Sequence, residues 1–144
     1  MALKFVPRGP EYSEDGTIIE FNRITQGDLN KFNLENNPFK DRPREERTEI
    51  IQMIIDGKYN EIDMTPEESA QSMNQMPIFC VSFVKDIKNL VNHNGTLIKY
   101  NELTFEMKKI LFDDLYYSND DFRDFVLAVK DGSKKKFAKM DEDK

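Results

Sequence analysis

The apolar positions of this chain concentrate in one stretch, Met76 to Val91, reading MPIFCVSFVKDIKNLV. From Met76 to Val84 only Pro77 and Ser82 interrupt the hydrophobic residues. A segment apolar on every side for more than two helical turns is either buried or spans a membrane. Nine residues is about half of what a bilayer crossing needs. The run therefore predicts a buried core helix over 77–92. Past Lys85 it narrows to Ile87, Leu90 and Val91, one face at i, i+3, i+4. His93-Asn94-Gly95 reads as the C-terminal cap of that helix, with His93 placed to meet the carbonyl end of the dipole.

On either side the pattern predicts further helices. Pro43 is a favoured first helical residue, Glu45 and Glu46 sit near the positive end, and Ile50, Ile51, Ile54 and Ile55 form an apolar stripe that Gly57 stops. Thr65-Pro66-Glu67-Glu68 is a capping box leading to Ala70, Met73 and Met76. Pro77 then makes 66–92 either two helices or one kinked helix. Thr96 to Tyr100 reads as extended. Asn101 is a candidate N-cap for a helix over 102–117 carrying Leu103, Met107, Ile110, Leu111 and Leu115. Ser118 and Asp121 start another, with Phe122, Phe125, Val126 and Val129 on one face and Asp131-Gly132 at its end.

The N-terminal part has a different period. Residues 2–6, ALKFV, alternate until Pro7, and 17–24, TIIEFNRI, are rich in β-branched and aromatic side chains. Asp15-Gly16 before them is a hairpin-turn signal. From Thr25 to Arg42 no period is sustained, which predicts a loop pinned by Phe32, Leu34 and Phe39. The fold class is thus mainly α within α+β: four to five short helices packed around a central buried helix 77–92, with a small N-terminal β-hairpin or extended arm. By organisation, 1–40 is arm and loop, 41–132 the helical body and 133–144 a charged tail.

Composition sharpens this. With 144 residues one domain is expected, and 38% hydrophobic against 33% charged residues suits a compact core with sizeable polar segments. The net charge is −6, from 21 basic and 27 acidic residues, and no stretch of domain size is basic. The electrostatic footprint of a nucleic-acid binder is missing. The one basic cluster is Lys134, Lys135, Lys136 and Lys139, and Asp141, Glu142 and Asp143 follow it at once. Cys80 is the single cysteine and sits in the apolar run, so it reads as an inert small hydrophobe. The opening MALKFVPRGP has no apolar h-region, which predicts a cytoplasmic protein or one carried in a particle assembled there.

Chemistry is sparse. One His and one Cys cannot build a Cys/His zinc site or a nucleophile with its oriented base. No two of the six glycines lie within five residues of each other, so neither a P-loop nor a dinucleotide fingerprint can be written. Asp113, Asp114, Asp120, Asp121 and Asp124 are the best hard-metal candidates. They lack the spacing and the central Gly of a calcium loop, and they read as a helix start and a solvated face. Asp56/Lys58, Asp86/Lys88 and Glu106/Lys108 have the acid-x-Lys spacing of a nuclease triplet at a frequency that chance explains. Arg42, Arg44 and Arg47 interleave with Glu45, Glu46 and Glu49, as a wet helix face does and a recognition helix does not.

What remains is surface for other proteins. Phe5, Val6, Ile19, Phe21, Phe32 and Phe39 lie outside the predicted helical body, and Phe137 stands between lysines in the tail. A short strand pairing with a partner sheet is a common binding mode. The alternative for each residue is ordinary packing within the chain. The expectation is a non-enzymatic protein-protein interaction or assembly component, of the kind found among phage structural and assembly-accessory or chaperone proteins. Its ends would bind partner subunits, including copies of itself. No cofactor, metal, nucleic acid, membrane or small-molecule substrate is implied. The competing reading is a small acidic regulator or inhibitor of a basic protein, and an enzyme survives only as a carboxylate-only or shared site.

Overall fold

The computed structural model describes the backbone of residues 9–142 and the side chains of 9–131. In chain order the elements are β1 (Glu11–Glu14), β2 (Thr17–Phe21), α1 (Gln26–Glu35), α2 (Arg44–Ile55), α3 (Pro66–Phe83), β3 (Val84–Lys88), β4 (Leu90–Val91), β5 (Leu97–Ile98), α4 (Phe105–Ser118) and α5 (Asp120–Glu142). Short 3-10 turns occupy Tyr59–Glu61 and Tyr100–Glu102. The fold is mixed, helices with a small antiparallel sheet of order β1-β2-β3, and β4 pairs β5 separately. Contacts group the chain into two compact units, one of residues up to Leu29 and from Met76 on, the other Asn30–Gln75.

The predicted helix 77–92 is corrected. α3 runs unbroken through Pro77 and stops at Phe83, and Val84–Lys88 is a strand. The reason is a bulge. Glu20 pairs Asp86 and Phe21 pairs Val84, which leaves Lys85 without a partner. One extra residue stretches the strand's period of two to three. Val84 and Ile87, three apart, both reach the buried face. The i, i+3 spacing that reads as a helix is thus a bulged strand. His93-Asn94-Gly95 caps no helix. It is the tip of the β4–β5 hairpin, where Asn92 Oδ1 accepts from the Asn94 and Thr96 amides at 2.9 and 3.0 Å.

A second correction concerns Thr25 to Arg42, which holds α1. The Thr25 amide donates to Asp28 Oδ2 at 3.0 Å and the Asp28 amide to Thr25 Oγ1 at 3.1 Å, a reciprocal capping box with Asp in place of Glu. Leu29 and Phe32, one turn apart, are buried.

In the unit Asn30–Gln75, Arg42 is the hub. Its Nε and Nη2 donate to the two carboxylate oxygens of Glu68 at 2.6 Å each, Nη2 also donates to the Asp63 carbonyl, and the guanidinium lies 5.3 Å from the centre of the Phe39 ring. Glu68 also accepts from the Thr65 amide at 2.9 Å, as the capping box predicted. On α2 only Ile50 is buried, while Ile51, Ile54 and Ile55 are exposed.

The other unit is built on aromatic contacts. Tyr12 from β1 meets Phe122 and Phe125 of α5 at 5.4 Å each, Phe21 meets Phe125 at 5.7 Å, and Phe112 of α4 stacks on Phe122 at 6.3 Å. α4 and α5 fall where helices are expected, but both start differently, and α5 runs past Asp131-Gly132, its expected end, to Glu142. Thr104, not Asn101, caps α4, and Asn119 Oδ1, not Ser118, accepts from the Phe122 amide at 3.0 Å. α4 buries Phe112 and Tyr116, while Met107 and Ile110 face solvent.

Candidate functional site

The sheet's geometry starts from Asp15-Gly16. Both have positive φ, 51° and 84°, as the centre of a two-residue hairpin turn requires. The register follows: Glu14 opposite Thr17, Ser13 opposite Ile18, Tyr12 opposite Ile19, Glu11 opposite Glu20. In an antiparallel pair, opposed residues alternate between exchanging hydrogen bonds and not. The Phe21 amide donates to Pro10 O at 2.9 Å, which sets the phase. Tyr12 and Glu14 spend their backbone groups on β2. Glu11 and Ser13 turn theirs to the other side of β1, where no described residue pairs with them. β1 is an open edge. At the far side of the sheet, the 3-10 turn Tyr100–Glu102 lies beside β3, and Asn101 Nδ2 donates to Asp86 Oδ1 at 3.3 Å.

The hairpin tip is pinned to the end of β3. Asn89, held at φ 60°, donates from Nδ2 to Gly16 O at 3.0 Å, and its own carbonyl accepts from Thr17 Oγ1 at 2.9 Å.

The two faces of the sheet differ in chemistry. The inner face carries Tyr12, Ile19, Ile87, Phe21 and Val84. On the outer face Glu11, Glu20 and Asp86 stand in one cross-strand row. Like charges directly opposite one another destabilise a sheet. Lys88 offsets part of this by bonding Glu20 Oε1 at 2.8 Å. Glu20, then Glu11 and Asp86, hold the Lys88 ammonium pKa above its ordinary value. Among the described residues, this face holds more acid than base.

Beneath the inner face near the hairpin tip lies a cavity of about 280 Å³. Ile19, Ile87, Leu111, Leu115 and Phe122 wall it, and Glu14 and Asp15 stand among its polar lining. Glu14 is oriented there by Tyr12 Oη, which donates to Oε1 at 3.0 Å, and by Asn119 Nδ2, which donates to Oε2 at 3.0 Å.

Of the residues singled out from the sequence, Ile19 and Phe21 are buried on the sheet's inner face, and Phe32 and Phe39 are buried as well. In this conformation their side chains serve packing within the chain. Phe5, Val6 and the Phe137 side chain lie outside the described residues. Glu11, Ser13, Glu20 and Asp86 were not foreseen. The Asp15-Gly16 turn contains the signal for the first three, because a two-residue turn dictates which β1 residues face outward. Asp86 was hidden by the helical reading of 84–88.

Reactive chemistry is thin across the described residues. Burial pushes the Cys80 thiol pKa up, which keeps it protonated. His93 is exposed at a turn, and Asp120 pairs with Arg123 at 2.6 Å. Among the described residues no group of three or more His, Cys, Asp or Glu is placed to hold a metal ion, and no helix is long and apolar enough to cross a membrane. No protein-family model, curated protein or solved structure matches the chain.

Proposed function

We propose that the chain is a non-enzymatic protein-binding component of a larger assembly, such as a phage structural or assembly-accessory protein, and that it binds through its sheet. The observation that carries this reading is the open edge of β1, with the backbone groups of Glu11 and Ser13 directed away from β2. A partner strand added there gains main-chain hydrogen bonds. Glu11 borders the added strand and favours a basic residue opposite it, and Glu20 and Asp86 add negative charge behind it on the same face.

A second reading, a small acidic regulator of a basic protein, draws on the same carboxylate row without the edge. One experiment separates them. Peptides alternating lysine with threonine or valine are titrated into the protein at low and high salt, beside versions with glutamate for lysine. Strand addition predicts lysine-dependent binding that Ser13→Pro abolishes. Binding that ignores Ser13→Pro but disappears in Glu11→Gln/Glu20→Gln selects the acidic regulator. No binding by any lysine peptide contradicts both.

A further inference from the structure

We propose that the 280 Å³ cavity receives the lysine-flanked Phe137 of a second copy of this chain, so that copies associate head to tail. This rests on the assembly reading and names one of its contacts.

The cavity is apolar inside and acidic at its polar side. Its walls come from the sheet, α4 and α5, Glu14 and Asp15 supply carboxylates, and among the described residues no Lys or Arg lines it. A site of this kind suits an aromatic or aliphatic side chain with cations beside it, because the apolar part leaves water while the charges meet the carboxylates. Residues 134–139 read KKKFAK, which places four lysines within three residues of Phe137. Phe5 has only Lys4 and Arg8 nearby. Phe32 and Phe39, which also adjoin lysines, are buried.

Geometry assigns the occupant to another copy. α5 begins beside the cavity, contributes Phe122 to its wall, and continues as one helix to Glu142. Residue 137 is therefore about 22 Å further along the helix axis at 1.5 Å per residue. The tail points away from its own cavity while it stays helical. A tail-to-cavity contact between copies joins two different surfaces, and such heterologous contacts build rings or filaments rather than closed two-fold dimers. A single aromatic anchor with solvated charge pairs makes each contact weak, with Kd on the order of millimolar or somewhat tighter.

Complementary variants test this. Phe137→Ala keeps the cavity and loses the anchor. Val91→Arg keeps the anchor and places a cation at the cavity, at a position 49% exposed where folding tolerates it. Isotope-labelled Phe137→Ala protein is titrated with unlabelled Val91→Arg protein and amide shifts are followed by NMR. The proposal expects saturable shifts at Leu111, Leu115 and Phe122 that fade with salt, and none from an unlabelled Phe137→Ala/Val91→Arg protein. No shifts with the single variant overturn the contact. Equal shifts from the double variant also overturn it, while leaving self-association and the assembly reading intact. Concentration-independent differences between wild type and Phe137→Ala at those amides would mean that the tail occupies its own cavity, which likewise overturns the proposal. The lysine-peptide titration judges the strand edge independently.

Discussion

Ser13 and Ile18 face each other across the hairpin as a pair that exchanges no hydrogen bonds, and this turns the Ser13 amide to the open side of β1. Glu14, one residue on, exchanges bonds with Thr17. Proline is tolerated in a strand only where its missing N–H faced away from the ladder. Ser13→Pro is therefore expected to leave the melting temperature close to wild type. Glu14→Pro removes a ladder bond and should cost roughly 1–2 kcal/mol more. Thermal denaturation of the two variants checks the strand phase directly.

Gly9 lies hard against β2. A Cβ there would collide with the Phe21 carbonyl oxygen and stand 2.5 Å from the Asn22 carbonyl carbon, both main-chain atoms that no rotamer change can move. Gly9→Ala should destabilise by about 1–3 kcal/mol. Gly27, in the first turn of α1, meets nothing closer than Thr25 Oγ1 at 3.7 Å. Gly27→Ala should stabilise by about 0.5–1 kcal/mol through helix propensity. Denaturant unfolding of both variants is expected to move the midpoint in opposite directions.

Tyr100 is 1% exposed, and its hydroxyl has no hydrogen-bond partner among the described residues. Burial pushes its pKa up, since a phenolate there would be unsolvated. Truncation normally destabilises a core. Here Tyr100→Phe removes an unsatisfied polar group and keeps the ring under Lys108 Nζ, 4.5 Å from its centre. The expected change is zero to about 1 kcal/mol of added stability. A loss of stability would show that the hydroxyl has a partner.

The Glu68 carboxyl is held down to about 2 from 4.5, first by the two Arg42 hydrogen bonds and then by the Thr65 amide. A depressed folded-state value means that the contribution is present above about 4.5 and is lost as pH falls through about 2. Glu68→Gln should be less stable than wild type near neutral pH, and the difference should shrink across that acid window. Arg42→Lys should not restore the contact, because an ammonium cannot bond both oxygens in parallel. Denaturant midpoints measured from neutral pH down through the window test both variants.

Local signals carried much of the fold. Asp15-Gly16 marked the hairpin, Thr65 with Glu68 marked the start of α3, and Phe122, Val126 and Val129 marked the buried face of α5. The misread parts each have a physical cause. The unpaired Lys85 gave a strand the spacing of a helix. Asp28 in place of Glu concealed the capping box of α1. Phe39, which looked like a loop anchor, lies under the Arg42 guanidinium, a contact between side chains that no periodicity encodes. The candidate site was less legible than the fold. Its outward residues are polar, and the row Glu11, Glu20 and Asp86 exists only once three strands are aligned.

The most direct test of the binding reading is residue-resolved amide exchange on the dilute, isolated protein. Slow exchange is expected at Tyr12 and Glu14, whose amides are spent on β2, and fast exchange at Glu11 and Ser13. Adding a lysine-alternating peptide should then slow Ser13. Protection of Ser13 in the dilute protein alone would contradict the account, because it would mean that the edge offered to a partner is already filled.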